Sequence, residues 1–429
     1  MVTSLVWLLL ALAPHSPTPD DSQAVALPAP PTPPYAAWTQ PGLVYVRHHP
    51  KPTSELAGAL RRGDIVQVLE IVGDKDARHP WALINGGGAL PLGALKPMGE
   101  RPLEAMYEAS DAKFAYGRVV RPHAPIAVAP LPHAAIRGHE KATYLMAFVP
   151  NPELQATGWL RRASGGYMRV ADMEMLTPSR FHGEPKPLLP LAFVRRKTRL
   201  QTADKAAPAQ FVSRYDRFHV LGIRAGRVQV AGGTLPRQFV RLAWPHARPN
   251  QIPKRAKWIR VDLAEQTLVA YEGDTPVFAT LVSSGREPHP TQKGVFRIYA
   301  KTVHSTMRGR GWADYVAEEV PWAMHFYIGQ ALHGAYWHDQ FGIVKSHGCV
   351  NLSPADAKWL FDWVPPALPE GWHTLLPGSQ DPAVYVDVDS GATTEHTEPQ
   401  PNAPTPTHQW TVDHQGGKKV KIEDVDKKE

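Results

Sequence analysis

Proline limits this chain before anything else does. Forty-four of its 429 residues are proline, about twice the usual ~5%. Proline fixes φ and donates no backbone N–H, so long helices are excluded over most of the length. What remains is short strands between turns, with extended linkers where prolines crowd. Eight prolines fall between residues 14 and 34, and 14–41 reads as a stiff, exposed linker. Residues 379–429 are rich in Gly, Thr and Pro, with late Lys, Asp and Glu, and read as a tail without fixed structure. Between these ends, 43% hydrophobic and 20% charged residues exclude wholesale disorder and allow two to four domains.

The charge is uneven. The chain carries +7, but the stretch from Ser379 holds ten acidic and five basic residues, leaving +12 on the body ahead of it. A basic body suits an anionic partner such as nucleic acid, a membrane surface or an acidic wall polymer, or is simply a solvated basic surface. No arginine-rich helix or aromatic RNA-binding signature accompanies it, which argues against nucleic acid. Leu5–Ala13 is an apolar run too short to span a bilayer, and Ala11-Leu12-Ala13 has a small-x-small cleavage form. Residues 1–13 are therefore expected to be a signal peptide, although no Lys or Arg precedes the run and Pro14 follows it. No later run is long enough for an integral membrane span. The expected location is outside the cytoplasm, in the periplasm or the cell wall.

Short strands organise the body. Leu43–Val46, the alternating Ile65–Ile71 and Ala89–Leu92 after Gly86-Gly87-Gly88 mark a first unit over 42–98. Its pattern resembles the bacterial Src-homology-3-like small barrel. Further β-rich modules are expected over 112–180, from Tyr116–Val120 and Gly165–Val170, and over 190–250, from Phe218–Gly222 and Arg227–Val230. From Lys257 the pattern sharpens into three antiparallel strands, Trp258–Leu263, Thr267–Tyr271 and Val277–Val282. One helix is predicted. Ser353 caps it, Pro354 fits its first position, and Ala357, Leu360, Phe361 and Val364 form a buried stripe that Pro365-Pro366 ends.

The chemistry concentrates just before that helix, where the sole cysteine sits. One thiol excludes an internal disulfide framework and a Cys-only zinc site. Cys349 follows His333 by sixteen residues, a spacing that suits two adjacent strand ends facing each other across a loop. A histidine within reach can take the thiol proton and return it to a leaving amine. Gly348 allows a tight turn that aims backbone N–H groups at a developing oxyanion. A buried, inert cysteine is the plain alternative. Zinc is another, because His333, His338, His347 and Cys349 supply enough ligands. It lacks a Glu beside a His-rich helix motif, and the nearest acid is Asp339.

His333, a twelve-residue gap that begins with Gly334 (334–345), then Ser346-His347-Gly348-Cys349-Val350-Asn351 resembles the signature of L,D-transpeptidase catalytic domains. Val282–Gly285, Lys293–Phe296 and Val320–Phe326 stand where that family has sheet core and cleft wall. The resemblance spans roughly 257–377. It departs at Gln292, where the family has proline in Thr-Pro-x-Gly. The resemblance implies a mainly β fold: small N-terminal barrels, then a sandwich-like catalytic domain with one or two short helices. It implies Cys349 as nucleophile, His333 as acid/base and the Gly334 carbonyl as orienter of the ring. His347 and the amides of Gly348 and Cys349 would line the oxyanion site. Ser346, Asn351, Tyr336, Trp337, Trp322 and Tyr327 are the implied substrate contacts. The implied substrate is the peptidoglycan stem peptide, cross-linked 3→3 with loss of D-Ala and with no metal or organic cofactor. An L,D-carboxypeptidase, a protein-to-wall linking enzyme and a non-catalytic wall-binding protein remain as alternatives.

Overall fold

Strands dominate the structure, a computed structural model that describes residues 31–73, 79–99, 105–106, 109–202, 210–309 and 314–391. The expected signal segment, most of the proline-rich linker and residues 392–429 lie outside the described residues. All described elements belong to one unit, Pro33–Glu429. The helices Pro152–Ala156 and Pro354–Trp363 are short, and the fold is mainly β, as the prolines require. Among the described residues no helix is long and apolar enough to cross a membrane.

Two sheets and one helix enclose the core of the C-terminal module. One sheet runs in the order Glu184–Pro185, Thr275–Leu281, Thr267–Glu272, Lys257–Asp262, Val384–Asp389, Gly294–Arg297. Facing it, Ala300–Arg308 pairs with the long strand Val316–Tyr327, which pairs with Gln330–Gly334, which in turn runs parallel to Val350–Leu352. Ile259, Val261, Leu268 and Ala270 of the first sheet meet Met324, Phe326, Leu332 and Val350 of the second in one buried cluster. The helix adds Leu360 and Phe361 to it. Ser353 caps that helix by accepting from the Asp356 amide at 3.1 Å, and the apolar stripe is buried. Asp356 does more than complement the helix dipole. It is 1% exposed, accepts from Thr280 Oγ1 and from the Gly183 amide, and burial raises its carboxyl to about 6.

Three expected boundaries change. Residues 379–429 were expected to be an unstructured tail, yet Val384–Asp389 is a central strand, parallel to Lys257–Asp262 in register from Val384 to Asp389. Its Val384, Val386 and Val388 alternate into the core, a period-2 pattern that the flanking Pro and Gly conceal. The linker assigned to 14–41 contains the strand Tyr35–Thr39, which pairs with Ile65–Val68 and with Leu95–Pro97. The first module also has a core that is not wholly its own. Trp372 and Leu375, from beyond the helix, lie in its buried cluster beside Val46, Leu60, Val68 and Leu90. Gly58 and Gly88 make room for the Trp372 ring, since a Cβ at either would lie 2.8 Å from it.

Shared ladders tie the modules together. Leu56–Arg61 of the first pairs with Thr374–Leu375, which pairs with Ala300–Arg308. Leu145 of the second pairs with Ala317 on the long strand. Two neighbouring acids on that strand reinforce the seams. Glu319 takes a bidentate pair from Arg61, at 2.7 and 3.1 Å. Glu318 accepts from Arg162, from Ser164 Oγ and from the Ala147 amide. A buried carboxylate needs all of its hydrogen bonds supplied in this way, because each lost partner leaves charge in a low dielectric. The third module, with strands Leu191–Val194, Arg217–Arg224, Arg227–Val230, Gly233–Pro236 and Val240–Ala243, has its own core of Val194, Val220, Val228, Leu235 and Leu242.

Candidate active site

Parallel pairing brings the two halves of the motif together. His333 is the Cα partner of Asn351, and Leu332 of Val350, so Cys349 enters this ladder one step before Val350. Side chains two apart along a strand share a face. Asn351 and His333 therefore project on one side, and the same alternation carried one step ahead of the strand puts Cys349 with them. The loop before Cys349 is anchored on the other sheet: Ser283 forms a bridge with Asn351, and Gly285 with Ser346.

The His333 ring is fixed by its neighbour. It is 2% exposed, and Nδ1 lies 3.3 Å from the Gly334 carbonyl oxygen. A carbonyl can only accept, so Nδ1 carries the proton and Nε2 presents a lone pair. Burial lowers the ring to about 4, with the Gly334 bond acting the other way, so it is neutral at ordinary pH. A side chain at Gly334 would be crowded, because a Cβ would meet Pro321 at 3.1 Å and Pro354 at 3.2 Å.

Cys349 is half-buried and free. The protein around its sulfur pushes the thiol up to about 11, against a smaller opposite pull from the Ala331 backbone. Sγ donates to the Gly329 carbonyl at 3.8 Å. It makes no hydrogen bond to His333 among the described residues. The resting pair is thus thiol and neutral imidazole rather than thiolate and imidazolium.

The turn that carries the sulfur is built by small polar groups. Gly348 has φ +116°, in the region that favours glycine. Its amide donates to Ser346 Oγ at 3.1 Å, and Ser346 Oγ donates to the Cys349 carbonyl. Thr291 Oγ1 accepts from the Gly285 amide at 2.8 Å and donates to the Gly348 carbonyl at 2.9 Å. The departure at Gln292 has a use. Its amide donates to Gln330 Oε1 at 2.9 Å, a bond that proline could not make. Gln330 begins the strand that bears His333, so this turn is tied to the base.

The site differs from the sequence reading in several places. The Gly348 amide, expected in the oxyanion site, is committed to Ser346. Ser346 is itself 6% exposed, with its hydroxyl spent inside the turn. Tyr336 does not wall a cleft: it is 1% exposed, stacks on Tyr116 at 3.7 Å and donates to the Glu318 carbonyl at 2.7 Å. Trp322 packs on the helix, its ring 5.3 Å from Phe361 and beneath Lys358. Trp337 does lie by the base, its ring 5.8 Å from that of His333. The Tyr327 carbonyl accepts from Tyr299 OH at 3.2 Å. His347 is half-buried beside Tyr315, with ring centroids 5.0 Å apart, and its Nε2 is 3.4 Å from Arg286 Nη2. Burial, Arg286 and His289 lower it.

Two residues were missed. Tyr299 and Tyr315 are both raised to about 12, by burial first and then by the charge Cys349 would carry. Both lie more than thirty positions ahead of Cys349, and no local pattern marks them. Among the described residues no group of three or more His, Cys, Asp or Glu could hold a metal ion. The four groups weighed for zinc are instead spread over separate contacts, with His338 against Asn351 and Gln340.

Residues 256–413 match the model of the YkuD L,D-transpeptidase catalytic domain. Among curated proteins, L,D-transpeptidase 2 of Mycobacterium tuberculosis is 31% identical over 91 residues, 19% of this chain and 22% of that protein. The putative L,D-transpeptidase YciB of Bacillus subtilis is 25% identical over 133 residues, 27% of this chain and 64% of that protein. The chain thus spans less than two thirds of either relative. A crystal structure of an Enterococcus faecium L,D-transpeptidase mutant is 26% identical, covering 31% of this chain and 50% of that one, with a TM-score of 0.26.

Proposed function

We propose that this protein is an exported cysteine L,D-transpeptidase that cross-links the peptide stems of peptidoglycan. The observation that carries the proposal is the shared face of Cys349 and His333, with the His333 ring turned by the Gly334 carbonyl so that Nε2 is bare. The match over residues 256–413 supports the same reaction class.

In this reading the His333 Nε2 takes the Cys349 proton as the sulfur attacks the carbonyl of the third stem residue. A thiol held near 11 and a ring held near 4 do not exchange a proton at rest, so transfer accompanies attack. The S–C bond forms and the oxyanion is met by the Cys349 amide. The C–N bond to D-Ala then breaks, and His333 returns the proton to the departing amine. An amine of a second stem, deprotonated by His333, attacks the thioester, and the sulfur leaves with its proton restored. Gly334 stands where a carboxylate orients the histidine in a Ser-His-Asp triad.

The test is product analysis. Full-length protein is incubated with a disaccharide-tetrapeptide, and the products are weighed by mass spectrometry. Cross-linked dimer with released D-Ala, lost in Cys349→Ala, is expected. Tripeptide alone would make the enzyme a carboxypeptidase. No D-Ala release by folded protein would end the proposal.

A further inference from the structure

We propose that His338 is a positioning residue that turns the Asn351 amide, so that its NH2 is offered on the face carrying Cys349 and His333. The substrate role of that NH2 rests on the function proposed above, whereas the orientation itself does not.

Three contacts lead to it. The Gln340 backbone N–H donates to His338 Nδ1 at 3.2 Å. The Asn351 side-chain amide approaches His338 Nε2 at 3.1 Å through Nδ2. Asn351 is 2% exposed, and its other amide atom, Oδ1, is buried with no partner among the described residues.

These contacts cannot all stand with an amide nitrogen facing the ring. A neutral imidazole has one lone pair and one N–H, and only the imidazolate accepts on both nitrogens. The Gln340 donor is backbone and stays where the chain puts it. Nδ1 is therefore the bare nitrogen and Nε2 carries the proton. Burial first, then the cations of Lys345 and Arg214, oppose a second proton on this ring, with Asp339 pulling the other way. A protonated Nε2 needs an acceptor, and a half-turn of the amide, which exchanges atoms of nearly equal size, supplies the oxygen. The NH2 then takes the buried position that has no partner.

The location gives that donor a purpose. Asn351 is the register partner of His333 and stands two residues from Cys349. A buried donor left open is costly in a resting protein and is satisfied when a ligand oxygen arrives. A peptide carbonyl or carboxylate of the stem has that chemistry. An amide oxygen at the same place would repel it.

Two measurements test the proposal on the full chain. The first is nitrogen NMR of the histidine side chains, with His338 assigned by its loss in His338→Gln. A proton on Nε2, and a shift of that signal in Asn351→Ala, is expected. A proton on Nδ1 overturns the proposal whether or not any stem is turned over. The second compares His338→Phe and His338→Gln with the tetrapeptide stem as donor. His338→Phe is expected to lower kcat/KM by about ten- to a hundredfold. His338→Gln, which can still donate to the Asn351 oxygen, should recover most of the loss. Adding His338→Phe to Asn351→Ala should cost nothing further, and the alkylation rate of Cys349 by iodoacetamide should be unchanged in each variant. Additive losses, or altered alkylation, would refute the positioning role. Absence of turnover by the wild-type protein would sink the proposed function and leave the ring's tautomer to be decided by NMR.

Discussion

The resting state of Cys349 can be measured directly. A cysteine and a histidine on one strand face invite the assumption of a pre-formed ion pair, and this structure argues against one. The thiol is pushed from 9.0 up to about 11 and donates to Gly329 rather than to His333. Near neutral pH the thiolate fraction is then about one in ten thousand, against about one in a hundred for an unshifted thiol, because each pKa unit is a factor of ten. Alkylation by iodoacetamide, followed by intact mass, should therefore run about a hundredfold slower than for a thiol in a short peptide. Its rate should climb about tenfold per pH unit up to roughly pH 10, with no step where histidine titrates. His333→Ala should barely change this simple alkylation, since the ring makes no hydrogen bond to the sulfur at rest. The same variant should lose about a hundredfold or more in acylation by the stem, where proton transfer is required. A flat alkylation rate from about pH 5 upward, at the speed of a full thiolate, would show an ion pair and refute the reasoning.

Three other outcomes follow from the same structure. Five histidines, His246, His304, His325, His333 and His338, are held near 4 by burial. Their folded pKa lies below the unfolded one, so the stability they contribute is complete above about 6.5 and is lost as pH falls toward 4. Asp64 and Asp356, raised to about 6, act in the opposite sense. Unfolding near pH 5 should thus take up about three protons net, and denaturant midpoints that do not fall between pH 7 and 5 would contradict this. Trp372→Ala should cost about 3–5 kcal/mol and split the melting transition, since that ring completes the first module's core; a single unshifted transition in calorimetry would show otherwise. Gly348→Ala forces a side chain onto φ +116° with Gln330 Nε2 at 3.1 Å. It should leave the fold intact by circular dichroism, at a local strain of about 1–3 kcal/mol, and lower acylation severely; full activity would mean the turn is not needed.

Legibility in the sequence followed the range of the interactions. The hairpin strands from Lys257 and the capped helix at Pro354 could be read because their signals lie within a few residues: a hydroxyl at the cap, a proline at the first turn, an apolar stripe, a turn between alternating runs. The spacing of His333 and Cys349 suggested two strand ends facing each other, and the parallel ladder that sets His333 against Asn351 lies next to Cys349. Tyr336 and Trp322 were misassigned because an aromatic beside a motif looks the same whether it faces a cleft or a core. Only Tyr116, from a module more than two hundred positions earlier, and the Glu318 carbonyl decide that Tyr336 is interior.

By itself the sequence determined a short-strand architecture, one helix, and a thiol and an imidazole at a spacing that parallel pairing brings onto one face. The tertiary structure decided which groups are still available there. It spent the Gly348 amide and the Ser346 hydroxyl inside the turn, gave Gln292 a bond to Gln330, and left Asn351 with an open buried atom. It also drew Val384–Asp389 into the middle of a sheet and Trp372 into the first module. The physical reason is that a hydrogen-bonding group or an apolar face has no fixed role until its partner arrives, and here most of those partners come from distant parts of the chain.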